Sequence, residues 1–313
     1  MRILFMGTSR FAAPTLQAIV DAGHEVVAVV TQPDRPSGRG RGVHMSPVKE
    51  LALSLGLPVF QPEKIRDPQA VEQIRSYEPL DAIVVAAFGQ IIPQSVLDIP
   101  KYGSINVHAS LLPKYRGAAP IHYAIMSGEQ KTGVTTMLMN AGLDTGDILL
   151  MRETDIGPEE TTGELETRLA DLGAQLLVET LDKLERGEIQ PQPQDHEKAT
   201  VARSLKREQG QIVWNKSAEE IVNLIRAFAP RPGAYTFLNG TELKIYKASV
   251  NNQPTGKYQN GQVIEVARDA IIVAAGQGSV RLIEVQPENR KRMNAGEFAR
   301  GARITHETVF TNA

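Results

Sequence analysis

Near its beginning the chain reads RILFMGTSRFAAPTLQAIVDAGHEVVAVVT, residues 2–31. Two apolar runs, at residues 2–7 and 25–31, flank a stretch at residues 11–22 that can form a helix. Runs that are apolar on both faces are typical of parallel strands covered by helices. This stretch therefore predicts a β-α-β unit and, with it, a Rossmann-like, doubly wound α/β sheet.

The same alternation continues to about residue 185. We predict helices near residues 46–55, 67–77 and 161–185, and strands at residues 81–87, 104–108, 134–139 and 148–151. Such an alternation gives a mostly parallel sheet. The first turn, Gly7-Thr8-Ser9-Arg10-Phe11-Ala12, lacks the second and third glycines of a dinucleotide-binding loop, so a nicotinamide cofactor is not expected.

The pattern changes after Gly187. Residues 190–206 are polar and punctuated by prolines, which is typical of a linker. A helical segment at residues 217–228 is then followed by short β-rich runs broken by glycines, as in a small, OB-like β-barrel. We therefore predict an α/β domain at 1–189, a linker at 190–206 and a C-terminal β-barrel at 207–313.

Composition narrows the class of protein. Of the 313 residues 42% are hydrophobic and 22% charged, as in ordinary globular proteins. The chain has no cysteine, which excludes disulfides, thiolate zinc sites and a cysteine nucleophile, and makes the cytoplasm the expected location. Its first apolar run is too short for a signal peptide or a membrane span. We expect a monomer without a membrane partner.

Charged side chains are distributed unevenly. The chain carries 34 Lys and Arg against 36 Asp and Glu, a formal net charge of −2. From Lys206 to the C-terminus we count 15 basic and 10 acidic residues, a net of +5, which leaves −7 for residues 1–205. A basic C-terminal third is suited to contact phosphates, although a solvated surface explains so modest a charge equally well.

Three polar residues stand where an α/β sheet binds ligands. Asn106 and His108 point to the same side of a predicted strand, at its carboxyl end. Asp144 lies in a glycine-flanked loop, residues 140–147, after another strand. Taken singly, such residues more often satisfy local backbone groups, but their combination indicates chemistry. A metal site is the alternative, although the set lacks the usual wealth of histidines and carboxylates, and we expect no metal.

A longer pattern surrounds these residues. Asn106-Val107-His108 is followed by Ser110-Leu111-Leu112-Pro113, then by Arg116-Gly117-Ala118-Ala119-Pro120, and later by Asp144-Thr145-Gly146-Asp147. This combination resembles the signature of the folate-dependent formyltransferases. Further matches cover nearly the whole chain: Met6-Gly7-Thr8, Phe11-Ala12, Gln32-Pro33-Asp34, Val85-Ala86-Ala87-Phe88-Gly89 and Ala295-Gly296-Glu297.

The resemblance implies an enzyme of translation initiation. It would transfer the formyl group of 10-formyltetrahydrofolate to the amino group of the methionyl moiety of initiator methionyl-tRNA. An amine that attacks a formyl carbon creates a negatively charged oxygen, to which the Asn106 amide can donate. His108 can donate a second hydrogen bond or pass a proton to the departing folate nitrogen. Asp144 would orient His108 and help to collect the proton of the amine.

The resemblance also implies where the substrates bind. On the folate side it points to Phe88, Gly89, Gln90, Ile91, Ser110, Leu111, Leu112 and Pro113; for Leu111 and Leu112, core packing is the competing explanation. On the tRNA side it points to Arg39 and Arg41, which lie among glycines in an exposed basic loop. Lys206 and Arg207 are weaker candidates for tRNA backbone contacts.

Two other functions fit part of the pattern. A formyltransferase that acts on a glycinamide ribonucleotide or an amino sugar would use the same three polar residues, but the arginine loop and the basic extra domain argue against it. A non-catalytic nucleic-acid-binding protein that senses folate would not need Asn106, His108 and Asp144 together.

Overall fold

The computed structural model describes residues 1–37, 42–251 and 253–312, and the chain divides into two compact units. Unit 1 comprises Met1–Pro120, Thr132–Thr154 and Glu166–Ala202. Unit 2 comprises Ile121–Lys131, Asp155–Leu165 and Arg203–Ala313. Unit 2 thus contains two short segments that precede its main part in sequence. The predicted domain boundaries remain a prediction.

Unit 1 is built on a seven-stranded sheet. Its strands are β1 (Arg2–Gly7), β2 (Glu25–Val30), β5 (Val59–Phe60), β6 (Ala82–Ala86), β7 (Ser104–His108), β8 (Lys131–Leu138) and β9 (Ile148–Asp155), in the order β5-β2-β1-β6-β7-β8-β9. The pairs of β1 with β2, β1 with β6 and β6 with β7 are parallel, whereas β7 and β8 are antiparallel. The predicted Rossmann-like, mostly parallel sheet is confirmed.

Helices alternate with these strands along the chain, and four of them begin with a proline in the first turn, where the missing N–H costs nothing. The helices of the first part of the chain are α1 (Ala13–Asp21), α2 (Pro47–Ser54), α3 (Pro68–Arg75), α4 (Gln94–Leu97), α5 (Pro120–Met126) and α6 (Thr162–Glu185). A short hairpin pairs β3 (Arg35–Ser37) with β4 (Gly42–His44). One core cluster joins β1, β2 and β6 to α3 and α4, and includes Leu4, Met6, Val30, Ile83, Val85, Ile74 and Leu97.

The strand order places a crevice at the carboxyl edge of the sheet. β2, which follows β1 in the chain, pairs with one side of β1, and β6, which comes later, pairs with the other side. Ligands bind to α/β sheets where the strand order reverses in this way. The loops after β1 and β6 are in contact there, since Thr8 Oγ1 donates a hydrogen bond to the carbonyl oxygen of Phe88 at 2.9 Å. β7, next to β6, ends at the same edge with His108.

The proline-rich segment predicted as a linker pairs with unit 1 over part of its length. Gln192 forms a bridge with Ile148 on β9, and Val201 forms one with Arg116. Gln194 and Ala202 are buried. A short 3-10 helix, His196–Lys198, lies between them. Outside this short helix the bridged stretches are extended, and the segment packs against unit 1.

The main part of unit 2, after residue 203, is an antiparallel β structure with the α-helices α7 and α8. Its elements after the linker are a 3-10 helix (Arg207–Gly210), α7 (Ala218–Phe228), β10 (Ala234–Leu238), β11 (Thr241–Asn251), β12 (Val263–Val266), β13 (Ile271–Ala274), β14 (Ser279–Pro287), β15 (Met293–Asn294) and α8 (Ala295–Gly301). The sheet has the order β10-β11-β14-β13-β12, with β15 paired to β14. A capping box of Ser217 and Glu220 begins α7.

The C-terminal segment joins the two edges of this sheet. Thr311 bridges to Phe237 on β10, while Val309 bridges to Gln262, just before β12. Between these bridges Phe310 is buried and stacks on Trp214, with ring centroids 6.0 Å apart. A sheet whose two edges are bridged in this way is a small barrel, which confirms the predicted C-terminal architecture.

Candidate active site

Two of the three predicted catalytic residues, Asn106 and His108, lie on β7. All five residues of this strand are buried, because it lies between β6 and β8. Asn106 and His108 are two positions apart and so share a face of the sheet, with only 9% and 6% of their surfaces exposed. Two polar side chains on a buried strand need partners, and these come from the loops at the carboxyl edge.

The loop of residues 140–147 supplies the carboxylate. Asn140 Oδ1 accepts hydrogen bonds from Gly142 N at 2.9 Å and from Thr145 Oγ1 at 2.8 Å, which closes the loop on itself. A Cβ at Gly146 would lie 1.7 Å from the carbonyl of Leu138, so only glycine fits there. Asp144 sits at the tip in a left-handed conformation, with φ of +50°.

The structure brings the three predicted catalytic residues together. Asn106 Nδ2 donates to Asp144 Oδ1 at 3.5 Å, and His108 Nδ1 lies 3.8 Å from Asp144 Oδ2. The backbone N–H of Gly117 donates to Asp144 Oδ2 at 2.7 Å. Both oxygens of the carboxylate are thus oriented, and the Asp144 side chain is 14% exposed.

The other nitrogen of the imidazole is already occupied. His108 Nε2 lies 2.9 Å from the carbonyl oxygen of Tyr115, which can only accept a hydrogen bond. Nε2 therefore carries a proton and donates it. Nδ1 is left facing Asp144, as the nitrogen that can take up or release a proton. Sequence reasoning did not single out Tyr115 or Gly117, because both act through the backbone.

The first group of folate candidates lies in the loop after β6. Phe88 is buried, and its carbonyl accepts from Thr8 Oγ1 and from Gln32 Nε2, at 2.9 and 3.3 Å. Gln90 is engaged on both ends of its amide: Oε1 accepts from Ile65 N at 2.7 Å, and Nε2 donates to Pro62 O at 3.2 Å. In contrast, Ile91 is 89% exposed and free to contact a ligand.

A cleft of about 600 Å³ opens beside this loop. Gly89, Gln90 and Ile91 line one part of it, together with Gln32, Arg35, Glu63, Lys64 and Arg66. Its lining carries three cations and one carboxylate, with Arg35 Nη2 3.9 Å from Glu63 Oε2. The excess of positive charge favours an anionic ligand. Lys64 and Arg66 were missed by sequence reasoning, because they belong to no motif and come from a loop far from the signature.

The second group of folate candidates forms a tight turn after β7. Ser110 and Leu112 are buried. Ser110 Oγ donates to Lys114 O at 2.6 Å, and Thr135 Oγ1 donates to Ser110 O at 2.7 Å. These contacts shape the turn. Leu111 and Pro113 are half-buried, so they are the members of this group whose side chains reach the surface.

Of the four residues predicted to contact tRNA, the structure describes two, Lys206 and Arg207. Arg39 and Arg41 lie outside the described residues. Lys206 is exposed at the start of the 3-10 helix. The guanidinium of Arg207 forms an ion pair with Glu242 and lies 5.5 Å from the centre of the Tyr235 ring. Part of the Arg207 charge is therefore already compensated within unit 2.

Within residues 1–37, 42–251 and 253–312, no three His, Asp or Glu side chains converge closely enough to hold a metal ion. Among the helices of those same ranges, none is both long and apolar enough to cross a lipid bilayer.

Comparison with known structures shows the fold. HypX from Aquifex aeolicus in complex with tetrahydrofolic acid has a TM-score of 0.66 at 19% identity; the match covers 96% of this chain and 47% of HypX, so this chain spans about half its length. The sugar 3N-formyl transferase WlaRD, in the presence of dTDP and 5-N-formyl-THF, has a TM-score of 0.67 at 21% identity, over 93% of this chain and 99% of that protein.

Comparison with known sequences shows the family. The formyl transferase family matches residues 1–181, and the formyl transferase C-terminal domain matches residues 204–303. Methionyl-tRNA formyltransferase of Citrifermentans bemidjiense is 51% identical over 304 residues, which cover 97% of this chain and 94% of that protein. The enzyme of the same name from Solibacter usitatus is 53% identical over 306 residues, 97% of each chain. The chain belongs to the formyl transferase family, within its group of methionyl-tRNA formyltransferases.

Proposed function

We propose that the chain transfers the formyl group of 10-formyltetrahydrofolate to the amino group of the methionyl moiety of initiator methionyl-tRNA. The observation that carries this proposal is the convergence of Asn106, His108 and Asp144 at the carboxyl edge of the sheet. Relatives with about half of their residues identical bear the name of that activity. The chemistry of each side chain is consistent with formyl transfer to an amine.

Asn106 stabilises charge. When the amine attacks the formyl carbon, the carbonyl oxygen becomes negative and needs a hydrogen-bond donor. The Asn106 amide has two N–H groups, and only one of them is engaged with Asp144, through a long contact of 3.5 Å. The other N–H is available to that oxygen. Because the residue lies on a central, buried strand, the donor is held in place before the reaction begins.

His108 moves a proton. Tyr115 holds the Nε2 proton, so exchange takes place at Nδ1, on the side of Asp144. In its protonated form Nδ1 can donate to the developing oxyanion or to the folate nitrogen that leaves. The attacking amine loses one proton and the leaving nitrogen gains one, so His108 returns to its starting state after each turnover.

Asp144 supplies the matching negative charge. Its Oδ2 is 3.8 Å from His108 Nδ1, longer than a direct hydrogen bond, and is anchored by Gly117 N. At this separation the carboxylate orients a protonated imidazole and can receive the amine proton, directly or through one water molecule. No covalent intermediate with the protein is needed, in agreement with a chain that has no cysteine.

The folate side fits a donor with a flat ring system and an anionic end. Ile91 offers exposed apolar surface beside the cleft, whose lining includes Lys64 and Arg66. We place the ring system near the loop after β6 and the turn after β7, and the glutamate carboxylates of folate toward the two cations. Bound there, 10-formyltetrahydrofolate would present its formyl group to the amine, and tetrahydrofolate would leave after the transfer.

The test is a comparison of acceptors with the purified chain. Labelled 10-formyltetrahydrofolate is incubated with initiator methionyl-tRNA, elongator methionyl-tRNA, free methionine, a glycinamide ribonucleotide or an amino sugar nucleotide. We expect label to move to initiator methionyl-tRNA at a rate far above that of every other acceptor. Preferred transfer to the ribonucleotide or the sugar would replace the tRNA substrate. Binding of folate and tRNA with no transfer at all would show a sensor instead of an enzyme.

A further inference from the structure

A glutamine outside the signature motifs holds the loop of Asp144. Gln194 lies in the extended segment before unit 2, and its side chain is 94% buried, with 6% exposed. Its Nε2 donates to two backbone carbonyls of the loop, Asp144 O at 2.9 Å and Gly146 O at 2.7 Å. Both hydrogens of one amide are therefore used to fix the backbone on either side of Thr145.

The orientation of this amide is set by a buried cation. Arg116 is 7% exposed, and its guanidinium donates to Gln194 Oε1 from Nε at 3.0 Å and from Nη2 at 2.6 Å. Nη2 also lies 3.1 Å from His196 Nδ1. Because a guanidinium can only donate, the oxygen of Gln194 must face Arg116 and its nitrogen must face the Asp144 loop. The two contacts leave a single orientation for the side chain.

The same segment also holds the turn that contacts His108. Thr200 Oγ1 accepts from Tyr115 N at 2.8 Å, and Thr200 O accepts from Arg116 N at 2.9 Å. Tyr115 in turn accepts from His108 Nε2, and Gly117 donates to Asp144. Residues 194–202 therefore support both partners of the His108–Asp144 pair, through a turn and a loop that are far apart in sequence.

We infer that Gln194 is a positioning residue for formyl transfer, and that Arg116 fixes its amide for this purpose. Gln194 touches no reacting atom; it sets the distance from Asp144 to His108 and Asn106 through the loop backbone. The inference rests on the proposed function of those three residues. A displacement of about 1 Å of a catalytic group can cost on the order of 100-fold in rate, so a buried clamp of this kind has a measurable effect on turnover.

Two substitutions separate the halves of the clamp. In Gln194→Glu the side chain still accepts from Arg116 but has no N–H for the two carbonyls, whereas Gln194→Met removes both contacts at similar size. Gln192→Glu makes the same charge change two residues away, at an exposed side chain. We expect kcat to fall about 10-fold to 100-fold in both Gln194 variants, with the KM for folate within about twofold of the parent. Gln192→Glu should retain the parental kcat.

A double-mutant cycle distinguishes positioning from a merely structural role. If Gln194 acts through Asp144, adding Gln194→Glu to Asp144→Asn should lower kcat by less than about twofold further, because the group it positions has already been disabled. If Gln194→Glu lowers kcat by the same factor in the Asp144→Asn protein as in the parent, the inference is overturned. Near-parental kcat in a folded Gln194→Glu protein would also overturn it. Thermal melting identifies a variant that is unfolded, and Gln194→Met then provides the same comparison.

The outcome for the proposed function is read separately, from the parent chain. If the parent does not formylate methionyl-tRNA, the proposed function fails, and the cycle is run with the acceptor that does support transfer. Parental activity combined with fully active Gln194 variants leaves the proposed function intact and removes the positioning role.

Discussion

His108 Nδ1 lies 3.8 Å from Asp144 Oδ2, and that oxygen is held at 2.7 Å by the backbone N–H of Gly117. The carboxylate is thus held by Gly117 N at Oδ2 and by Asn106 Nδ2 at Oδ1, and its Oδ2 faces the imidazole nitrogen that is not engaged with Tyr115. This pairing relates a buried strand to a loop tip, and it is the geometry on which the predicted chemistry depends.

Asp144→Asn tests the role of the carboxylate charge. We expect kcat to fall about 100-fold, because an amide neither stabilises a protonated His108 nor accepts the amine proton. The KM for folate should stay within about twofold, since the change affects the reacting centre and not the donor. Asp147→Asn, in the same loop, is the matched control. Steady-state kinetics with initiator methionyl-tRNA measure both, and an unchanged rate in Asp144→Asn would make this residue structural.

The tRNA loop is tested by charge and salt. Arg41→Leu should weaken the use of charged tRNA and leave folate binding unchanged, because Arg41 stands between two glycines in the sequence and we expect its charge to act on an external partner. If Arg41 contacts a phosphate, the slope of log affinity against log salt should fall by roughly 0.7 to 0.9, and Arg41→Lys should restore it. Arg39→Leu is the parallel case. If tRNA affinity depends on salt in the same way for the parent and all variants, this loop does not contact tRNA. The assignment of tRNA binding would then rest on the C-terminal domain alone.

Arg207→Ala gives a contrasting result for the C-terminal domain. Since Arg207 is paired with Glu242 and lies over Tyr235, its removal takes away a partly compensated charge. We expect Arg207→Ala to change the slope of log tRNA affinity against log salt less than Lys206→Ala does, because the Lys206 side chain is exposed. Filter binding of initiator tRNA over a salt series measures both slopes. A larger effect of Arg207 would show that it leaves Glu242 to bind tRNA.

The N-terminus of α7 makes the stability of unit 2 depend on pH. Hydrogen bonds to Glu220, above all from Lys216 and then from the Ser217 backbone and hydroxyl, lower the pKa of Glu220 from the usual 4.5 to about 2. Because the folded pKa is depressed, the stabilisation is present above about pH 4.5 and is lost as the pH falls toward 2. Glu220→Gln should therefore lower the melting temperature at pH 7, and the difference from the parent should narrow through this window.

Calorimetry of parent and variant from about pH 2 to about pH 7 checks this expectation. Glu219→Gln removes a neighbouring charge of the same helix turn and serves as the control. A difference from the parent that stays constant, or widens toward acid, would contradict the assigned role of Glu220.

Local patterns predicted most of the fold. Apolar runs placed β1, β2, β6 and β7 within a residue or two, because buried parallel strands are continuous in sequence. β9 extends to Asp155, beyond its predicted end at 151; its outer half alternates half-buried and exposed residues and contains charges, so no continuous apolar run marked it in the sequence. Barrel closure by residues 309–311 was not predicted, since it depends on partners far away in sequence, Phe237 and Gln262.

The candidate site was predictable only where a motif marks it. Asn106, His108 and Asp144 were predicted from their residue types and spacing, and they converge in the structure. Gln194 was not, because a run of Gln and Pro is indistinguishable from a linker until Arg116, 78 positions earlier, is seen to bind it. Positions that act through tertiary partners leave no periodic signal in the sequence.

The most direct test of the account is the turnover of a His108→Ala protein, with Asn106→Ala beside it, in formyl transfer to initiator methionyl-tRNA. Both variants should fold, as circular dichroism would show, and both should lose about 100-fold or more in kcat, the magnitude expected when a general acid-base group or an oxyanion donor is removed. A well-folded His108→Ala protein with kcat near that of the parent would contradict the mechanism.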